Sequence, residues 1–436
     1  MRRPGFRNVW ADAPQAVGPD NFYDSTVEQY ALQPLEVLSL RQMLEFGKDA
    51  IYDKAKVLKS ARHAQRELPK RLARRLMDLQ FLPHIFVKNP HIKRVYDAYL
   101  HAFDTLRSLP PACTPEDNAR LTDILQRLVD EHAPMLDALA SGLRESSSKP
   151  FVGPKLPNLD AFFDSMLRSR ISRRVIAEQH IHLAQRRPGF IGVIATDFSL
   201  REAVDHAAQR TRQVCTETYG FSAEVVCTGN LRASIPYIPI HIDYMLFELL
   251  KNAMRAVVEA HRGRRGQPPP PVVVRICDAP SSVTLRISDQ GGGIPEADIE
   301  RVWSYGYTTA DASLRSDSGG SGAQPASFGS TMTQLPRPLT SETAHQIRSI
   351  ASGAQMVAPS AGASGPWRMG GLGFGLPLSR LYARYFGGDL QLVSMPGYGV
   401  DAFLTLQHLE GDWHEPLAEH QSAPFEPEPH TLNAYP

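Results

Sequence analysis

The sequence is poor in cysteine, has no long hydrophobic run and carries almost no net charge. Four cysteines occur among 436 residues, far apart and without a C-x-x-C pair, which argues against a zinc site or a disulfide framework. No apolar run reaches the ~20 residues that cross a bilayer. With 47 basic and 46 acidic residues, the net charge of +1 gives no bulk field toward nucleic acid or membrane. We therefore expect a globular protein with no transmembrane segment and no nucleic-acid partner.

The first residues are basic. Arg2, Arg3 and Arg7 precede the first acidic residue, Asp12. This pattern is compatible with a mitochondrial presequence, and it fits a disordered basic start equally well because the stretch is short and poor in serine. We expect residues 1–30 to be flexible.

Residues up to about 188 show the periodicity of amphipathic helices. Within 91–107, apolar side chains recur at i, i+3, i+4 and i+7, at Ile92, Val95, Tyr96 and Tyr99. Comparable stripes occur in 36–60, 64–80, 115–144 and 158–184. Several such helices joined by short breaks predict a helical bundle domain over 31–188.

From about residue 189 the pattern changes to short strands with two helices between them. The predicted strands are 223–228, 272–277, 282–288, 389–394 and 401–406, and the predicted helices are 241–261 and 376–386. This order predicts an α/β sandwich over 189–410, with one mixed sheet covered by helices. Within it, the Ser-, Gly-, Ala- and Pro-rich stretch 311–369 predicts a disordered lid insertion, and 411–436 a polar tail.

The first candidate motif lies on the helix predicted at 241–261. Glu248 and Asn252 are one turn apart, and Arg255 follows on the same face. The amide oxygen of an asparagine can bind Mg²⁺, and a nearby carboxylate can accept a proton from a hydroxyl group. The alternative is an ordinary polar helix face turned to water.

The second motif follows a strand that ends at an acidic residue. Asp289 precedes Gln290 and the three glycines 291–293. Glycines permit positive φ and a close approach of the backbone to a ligand. A carboxylate held there can accept a hydrogen bond from the exocyclic amine of adenine, whereas a plain tight turn would need only one glycine.

The third motif is GGLGFGLPLSR at 370–380, a glycine-rich loop that opens onto a helix. Pro377 suits the first turn of that helix, and a helix N-terminus below a glycine loop binds anions. The loop is neither a Walker loop, since no G-K-[ST] follows, nor a Rossmann turn, since no strand leads into it.

Together, in this order, the three motifs resemble the nucleotide-binding boxes of the ATPase superfamily that includes DNA gyrase, Hsp90 and histidine kinases. Four further stretches resemble the mitochondrial pyruvate dehydrogenase kinases and the branched-chain 2-oxoacid dehydrogenase kinase. They are 73–103, 168–181 (RSRISRRVIAEQHI), 236–256 and 379–403.

This resemblance covers roughly residues 35–410 apart from the lid insertion. It implies an α+β fold with an N-terminal four-helix bundle and a C-terminal histidine-kinase-like ATPase sandwich. It also implies ATP and Mg²⁺ as cofactors, a homodimer in the mitochondrial matrix, a lipoyl domain of the E2 core as partner, and phosphorylation of serine on an E1α subunit.

The same resemblance assigns roles position by position. Glu248 corresponds to the general base on the substrate serine, Asn252 to the Mg²⁺ ligand and Asp289 to the adenine anchor. Lys251 and Arg255 are expected near the phosphates. The other implied nucleotide contacts are Gly291, Gly293, Thr308, Thr309, Gly371, Leu372, Gly373, Phe374, Gly375 and Leu376.

Departures from the family pattern leave the substrate complex open. Tyr244 stands four residues before Glu248, where pyruvate dehydrogenase kinases usually have histidine and the branched-chain kinase has tyrosine. The stretch 307–310 favours the branched-chain kinase as well and suggests a potassium site near Val302, Ser304 and Tyr307. Asp412-Trp413, in contrast, resembles the tail of pyruvate dehydrogenase kinases. Gln290 and Leu372 replace a usual arginine and a usual aromatic residue.

Three other functions remain possible from the sequence. A two-component kinase would carry acid-labile phosphate on His180, for which we expect a structural role. A regulatory scaffold would bind nucleotide and a lipoyl domain without transferring phosphate, against which the intact Glu248 and Asn252 argue. A chaperone or DNA-repair ATPase would have a different N-terminal half.

Overall fold

The computed structural model describes residues 25–50, 53–82, 84–147, 159–183, 185, 187–262, 268–307 and 373–408. The predicted lid insertion and C-terminal tail lie outside these residues. Among the residues that are described, no helix is long and apolar enough to cross a membrane.

The first half of the chain is helical, as predicted. The helices are α1 (Ser25–Ala31), α2 (Leu40–Ala50), α3 (Lys54–Gln80), α4 (His84–Val87), α5 (Pro90–Arg107), α6 (Pro115–Glu131), α7 (Met135–Ser147) and α8 (Leu159–Leu183). Helix α1 begins within the segment 1–30 that the sequence analysis expected to be flexible and ends at Ala31. Local signals fix several starts: Asn89 caps α5 ahead of Pro90, and Thr114 forms a capping box with Asp117 on α6.

Two stretches of continuous periodicity each contain more than one helix. Within 36–60, α2 is described as far as Ala50, residues 51 and 52 lie outside the described residues, and Asp53 starts α3 by accepting a hydrogen bond from the backbone nitrogen of Ala55 at 2.8 Å. The prediction over 115–144 was wrong near Pro134, which separates α6 from α7. In both places a helix start overrides a periodicity that runs through it.

Four long helices, α3, α5, α6 and α8, form the bundle. Helix α3 is its centre, since it contacts α1, α2, α5, α6 and α8, while α6 also packs on α8 and α7 on α5. Leu68, Leu72, Leu76 and Leu79 of α3 are buried at helical spacing. The predicted stripe of α5, from Ile92 to Tyr99, is buried as well.

A buried charge cluster ties α3 to the segment before α2. Glu67 is fully buried and accepts hydrogen bonds from Lys70 at 2.8 Å, Arg71 at 2.6 Å and the backbone nitrogen of Glu36 at 2.9 Å. Burial by itself would raise the pKa of Glu67, but these three donors more than offset it and bring the pKa down from 4.5 to about 2.

Glu67→Gln is expected to destabilise the protein by about 3 kcal/mol, because a neutral amide leaves two buried cations without their counter-charge. Since the folded pKa lies below the unfolded one, the stabilisation is complete above pH 4.5 and is lost as the pH falls toward 2. Urea unfolding of both proteins at pH 7 and at pH 3 measures this. The exposed Glu45, paired with Arg41, provides the control: Glu45→Gln should cost below about 0.5 kcal/mol. Equal losses in the two variants would contradict the argument.

The second half contains two sheets. A three-stranded sheet has the order β1-β2-β4, and a five-stranded sheet the order β3-β5-β6-β8-β7. The strands are β1 (Phe190–Ile191), β2 (Ile194–Ser199), β3 (Val225–Gly229), β4 (Ser234–Tyr237), β5 (Val272–Asp278), β6 (Ser282–Ser288), β7 (Asp389–Met395) and β8 (Gly399–Gln407). Only β3 and β5 pair in parallel in the larger sheet; its other pairs are antiparallel.

Helices cover one face of the larger sheet: α9 (Leu200–Tyr219), α10 (Pro239–His261) and α11 (Gly375–Tyr385). Alternate strand residues such as Val274, Leu285 and Leu404 are buried on that side. The five predicted strands and two predicted helices are present. The sequence analysis missed β1, β2, β4 and α9, although Ser199 caps α9 and Gly220 ends it with φ +81°.

Candidate active site

Helix α10 carries the first motif on the face opposite the one that packs in the hydrophobic core of the domain. Its buried positions include Leu246, Leu249, Leu250 and Ala253, whereas Glu248, Asn252 and Arg255 are half-buried. The three predicted residues therefore share one accessible face. Lys251 lies beside them, and its Nζ donates to Glu248 Oε1 at 2.6 Å.

The third motif meets α10 at Glu248. A Cβ atom built on Gly375, the first residue of α11, would lie 2.2 Å from Glu248 Oε2, so only glycine lets the carboxylate reach the start of this helix. Gly373 has φ +79° and packs on the backbone of Gly306, whose nitrogen donates to Gly373 O at 3.0 Å. Residues 373–375 thus lie between α10 and the turn before residue 307.

The second motif meets α10 at Ala256. A Cβ on Gly291 would lie 2.4 Å from Ala256 Cβ, and one on Gly293, with φ +80°, 2.5 Å from Met395 O. Glu248 and Ala256 are eight residues apart, or about 12 Å along the helix. Asn252 is midway between them. The two glycine loops therefore contact one helix on either side of Asn252.

Asp289 is held by backbone donors at the end of β6. Its Oδ1 accepts hydrogen bonds from Gly291 N at 2.8 Å and Val400 N at 3.3 Å, which leaves Oδ2 without a donor among the described residues. The residue is 8% exposed, and burial raises the pKa of its carboxyl despite these two bonds. Such an oxygen suits a ligand that brings its own hydrogen-bond donor.

Helix α8 forms a wall behind the glycine loop. Phe163, Tyr305 and Phe374 pack with ring centroids 5.1 to 5.4 Å apart. Tyr305 donates its hydroxyl to Asp164 at 2.5 Å and its backbone nitrogen to Asp160 at 3.0 Å. The bundle is therefore joined directly to the loop that precedes α11.

Several predicted site residues cannot be placed. Thr308, Thr309, Gly371 and Leu372 lie outside the described residues, while Gly373, Phe374, Gly375 and Leu376 lie at the start of α11. Among the described residues, no group of three or more His, Cys, Asp or Glu side chains could hold a metal ion. Asn252, the predicted Mg²⁺ ligand, carries an amide and is not one of these residue types.

The predicted potassium residues lie around a short turn. Val302 lies within the 3₁₀ turn Arg301–Trp303. The backbone carbonyl of Ser304 accepts a hydrogen bond from the backbone nitrogen of Tyr307 at 3.3 Å. Burial and a hydrogen bond to Asp298 raise the pKa of Tyr307 to about 12, and the Arg301 guanidinium lies 4.6 Å from its ring centroid. The potassium site stays a prediction.

His180 is enclosed in the bundle rather than presented to a nucleotide. It is 1% exposed, with Nδ1 3.2 Å from Ser60 Oγ and Nε2 3.4 Å from Thr122 Oγ1. Burial lowers its pKa to about 4, so the ring is neutral at pH 7. These contacts support the structural role that was expected and argue against a phosphoacceptor.

The sequence analysis missed two contributors to the site. Val400 donates to Asp289, and Gly399 leaves room for it, since a Cβ there would lie 1.9 Å from Asp289 O. The sequence P-G-Y-G at 396–399 marks a turn and could have indicated that Gly399 allows a close backbone approach. Tyr305 had no comparable local signal.

Two protein families match parts of this chain. The family described as mitochondrial branched-chain alpha-ketoacid dehydrogenase kinase matches residues 37–195, and the histidine kinase-, DNA gyrase B- and HSP90-like ATPase family matches residues 238–330.

Curated relatives match nearly the whole chain. The mitochondrial pyruvate dehydrogenase (acetyl-transferring) kinase of Arabidopsis thaliana is 33% identical over 382 residues, which cover 87% of this chain and 92% of the relative. The human kinase isozymes 4 and 3 are each 30% identical, over 92% and 90% of this chain and 88% and 87% of their own lengths. The chain therefore belongs to the family of mitochondrial 2-oxoacid dehydrogenase kinases, which are protein-serine/threonine kinases with a histidine-kinase-like ATP-binding domain.

Proposed function

We propose that this protein transfers the γ-phosphate of ATP to a serine on the E1α subunit of the pyruvate dehydrogenase complex and thereby inactivates that complex. The observation that carries the proposal is the position of Glu248, whose carboxylate lies between Lys251 and the first turn of α11. The curated relatives favour pyruvate dehydrogenase as the target. The branched-chain complex is the alternative, favoured by Tyr244.

Glu248 serves as the general base. The serine hydroxyl gives its proton to the Glu248 carboxylate while the serine oxygen forms the new bond to Pγ. The bond from Pγ to the bridging oxygen breaks, and its electron pair leaves with ADP. The glycine loop and the N-terminus of α11 bind the phosphates, as a helix start favours anions.

Asn252 fits the magnesium ion that the family implies. It is half-buried on the same face as Glu248 and between the two glycine loops, and its amide oxygen is the kind of ligand that Mg²⁺ accepts. A bound Mg²⁺ supplies charge neutralisation on the phosphates. Asp289 accepts a hydrogen bond from the adenine amine. The remaining nucleotide contacts are Arg255, Gly291, Gly293, Leu376 and residues 308, 309, 371 and 372.

Asn252→Ala is expected to lower phosphate transfer at least about 100-fold, because the metal loses its protein ligand. The assay uses purified pyruvate and branched-chain E1 side by side, with labelled ATP and an acid wash. We expect acid-stable label on the E1α subunit of pyruvate dehydrogenase and none on the kinase.

Asn118→Ala, on helix α6, is the matched control and should retain full activity. Full activity of Asn252→Ala, or acid-labile label on His180, would contradict the proposal.

The partners of the family are part of the proposal. A lipoyl domain of the E2 core would bring the kinase to its substrate. The relatives are named as mitochondrial proteins, and we propose the matrix as the compartment of this chain. A potassium ion at Val302, Ser304 and Tyr307 is also proposed. The Asp412-Trp413 pair, which would assist docking, lies outside the described residues.

The open face of the larger sheet supports a homodimer. Val226, Val273, Ser288, Asp401 and Val393 form one row across β3, β5, β6, β8 and β7, on the face opposite the helices. Val226 and Val393, at its two ends, are 39% and 51% exposed, and the neighbouring Met395 is 45% exposed. A second copy of the chain would remove these apolar side chains from water.

Val393→Arg combined with Met395→Arg is expected to convert the dimer to a monomer, since two buried cations would face each copy. Analytical ultracentrifugation of the wild type and the variant measures this. Leu32→Arg replaces an exposed apolar residue at the end of α1 and should leave the dimer intact. A monomeric wild type, or a variant that stays dimeric, would rule out this interface.

A further inference from the structure

Lys251 forms an enclosed ion pair with the proposed base. The side chains of Lys251 and Glu248 are 9% and 14% exposed, and their charged atoms are 2.6 Å apart. An exposed ion pair is worth little because water and salt compete with it, whereas removing one partner of an enclosed pair is costly. One oxygen of the base, Oε1, is therefore committed to Lys251.

The second oxygen of the base has a different neighbour. Oε2 lies against Gly375, at the first turn of α11, where the phosphate chain is proposed to bind. A half-turn of the carboxylate exchanges two equivalent oxygens, whereas a smaller rotation breaks the bond to Lys251 and turns the second oxygen away from α11. The pair thus fixes the plane of the carboxylate, so that one oxygen, Oε2 in this structure, is presented to the reacting atoms.

Lys251 is itself restrained by Phe247, one turn earlier on α10, whose ring also contacts Arg210 of α9. Its Nζ lies 5.4 Å from the ring centroid of Phe247, and the guanidinium of Arg210 lies 4.6 Å from the same ring. Arg210 also donates to Asp243 Oδ2 at 2.6 Å. A cation near an aromatic ring is attracted to it, so Phe247 restrains the ammonium group beside Glu248.

We propose that Lys251 is a positioning residue, which fixes the Glu248 carboxylate so that Oε2 takes the proton of the substrate serine. This inference rests on the proposed function. The serine oxygen bonds to Pγ, the bond from Pγ to the bridging oxygen breaks, and ADP takes the electron pair. Lys251 touches neither ATP nor serine in this role and acts only through Glu248.

Lys251→Met is expected to lower kcat about 10- to 100-fold while KM for ATP and the Kd for ADP change less than about twofold. Lys251→Arg should recover most of kcat, because a guanidinium can still donate to Oε1. Lys93→Met, at an exposed position on α5, is the matched control and should keep wild-type kinetics. A tenfold weaker affinity for nucleotide in Lys251→Met would assign Lys251 to the phosphates and overturn the inference.

A double-mutant cycle with Glu248→Gln tests whether Lys251 acts through Glu248. In the Glu248→Gln background, Lys251→Met should change the residual kcat less than about twofold. An equal fold-loss of kcat in both backgrounds would overturn the positioning role.

Thermal unfolding gives a readout that does not depend on activity. Lys251→Met should lower Tm by about 2–4 °C in the wild type and by less than about 1 °C in the Glu248→Gln background. If the wild type phosphorylates neither E1 protein, the proposed function fails, while this cycle still reports whether the pair exists. Equal shifts in both backgrounds would show that no such pair forms.

Discussion

Glu248→Gln is expected to lower kcat by about 10²- to 10⁴-fold, with ATP binding retained. Glutamine has the shape of glutamate and its amide oxygen can still accept a hydrogen bond from Lys251 Nζ, so the geometry of α10 is kept, although the ammonium group loses its counter-charge at some cost in stability. The amide cannot take up the proton of the substrate serine. Single-turnover transfer to E1α, with nucleotide affinity measured by calorimetry, separates the chemical step from binding.

The control for this prediction lies on the same helix. Glu259→Gln makes the same change eleven residues further along α10, where the side chain accepts a hydrogen bond from the Tyr219 hydroxyl at 2.7 Å. An amide oxygen can accept that bond too, and kcat should stay within about twofold. If Glu248→Gln transferred phosphate at the wild-type rate, another group would have to be the base.

The α10 side of the candidate site could be predicted from the sequence because its residues are close together along the chain. Glu248, Asn252 and Arg255 share a helix face through spacing alone, and a glycine run before Pro377 marks a helix start. Sequence spacing could not predict that these two segments contact each other in the fold. The closeness of Gly375 to Glu248, 127 residues earlier, depends on how α10 and α11 pack on the sheet.

The remaining parts depend on long-range contacts or weak local patterns. Val400 donates to Asp289 across 111 positions, and Tyr305 binds Asp164 across 141, so no local pattern encodes either contact. Strands β1, β2 and β4 have two to six residues, too few for alternation to stand out. Helix α9 buries alanines along much of its stripe, which weakens the periodic signal that identified α10.

Asp289→Asn is expected to weaken ATP binding about 100-fold or more without unfolding the protein. The amide oxygen of asparagine can replace Oδ1 as acceptor for Gly291 N and Val400 N. Its amino group then replaces Oδ2 and would face the adenine amine, so that two donors meet and neither is satisfied. Guanine presents an acceptor, O6, in place of the adenine amine. Calorimetry with ATP and GTP should therefore show that the variant loses the preference for adenine.

The same substitution is expected to leave Tm at pH 7 equal to that of the wild type or higher. Burial raises the pKa of Asp289, so its ionisation lowers the stability of the folded state as the pH rises above the unfolded pKa of 3.8, and the loss is complete above the folded pKa. Asparagine removes this cost, and any gain in Tm should shrink as the pH falls toward 3.8, where the wild-type carboxyl also becomes neutral. Asp278→Asn, at the exposed end of β5, is the control and should change nucleotide affinity less than about twofold. A variant that kept its ATP affinity would show that Asp289 does not bind adenine. Its role would then be limited to accepting the backbone hydrogen bonds of Gly291 and Val400.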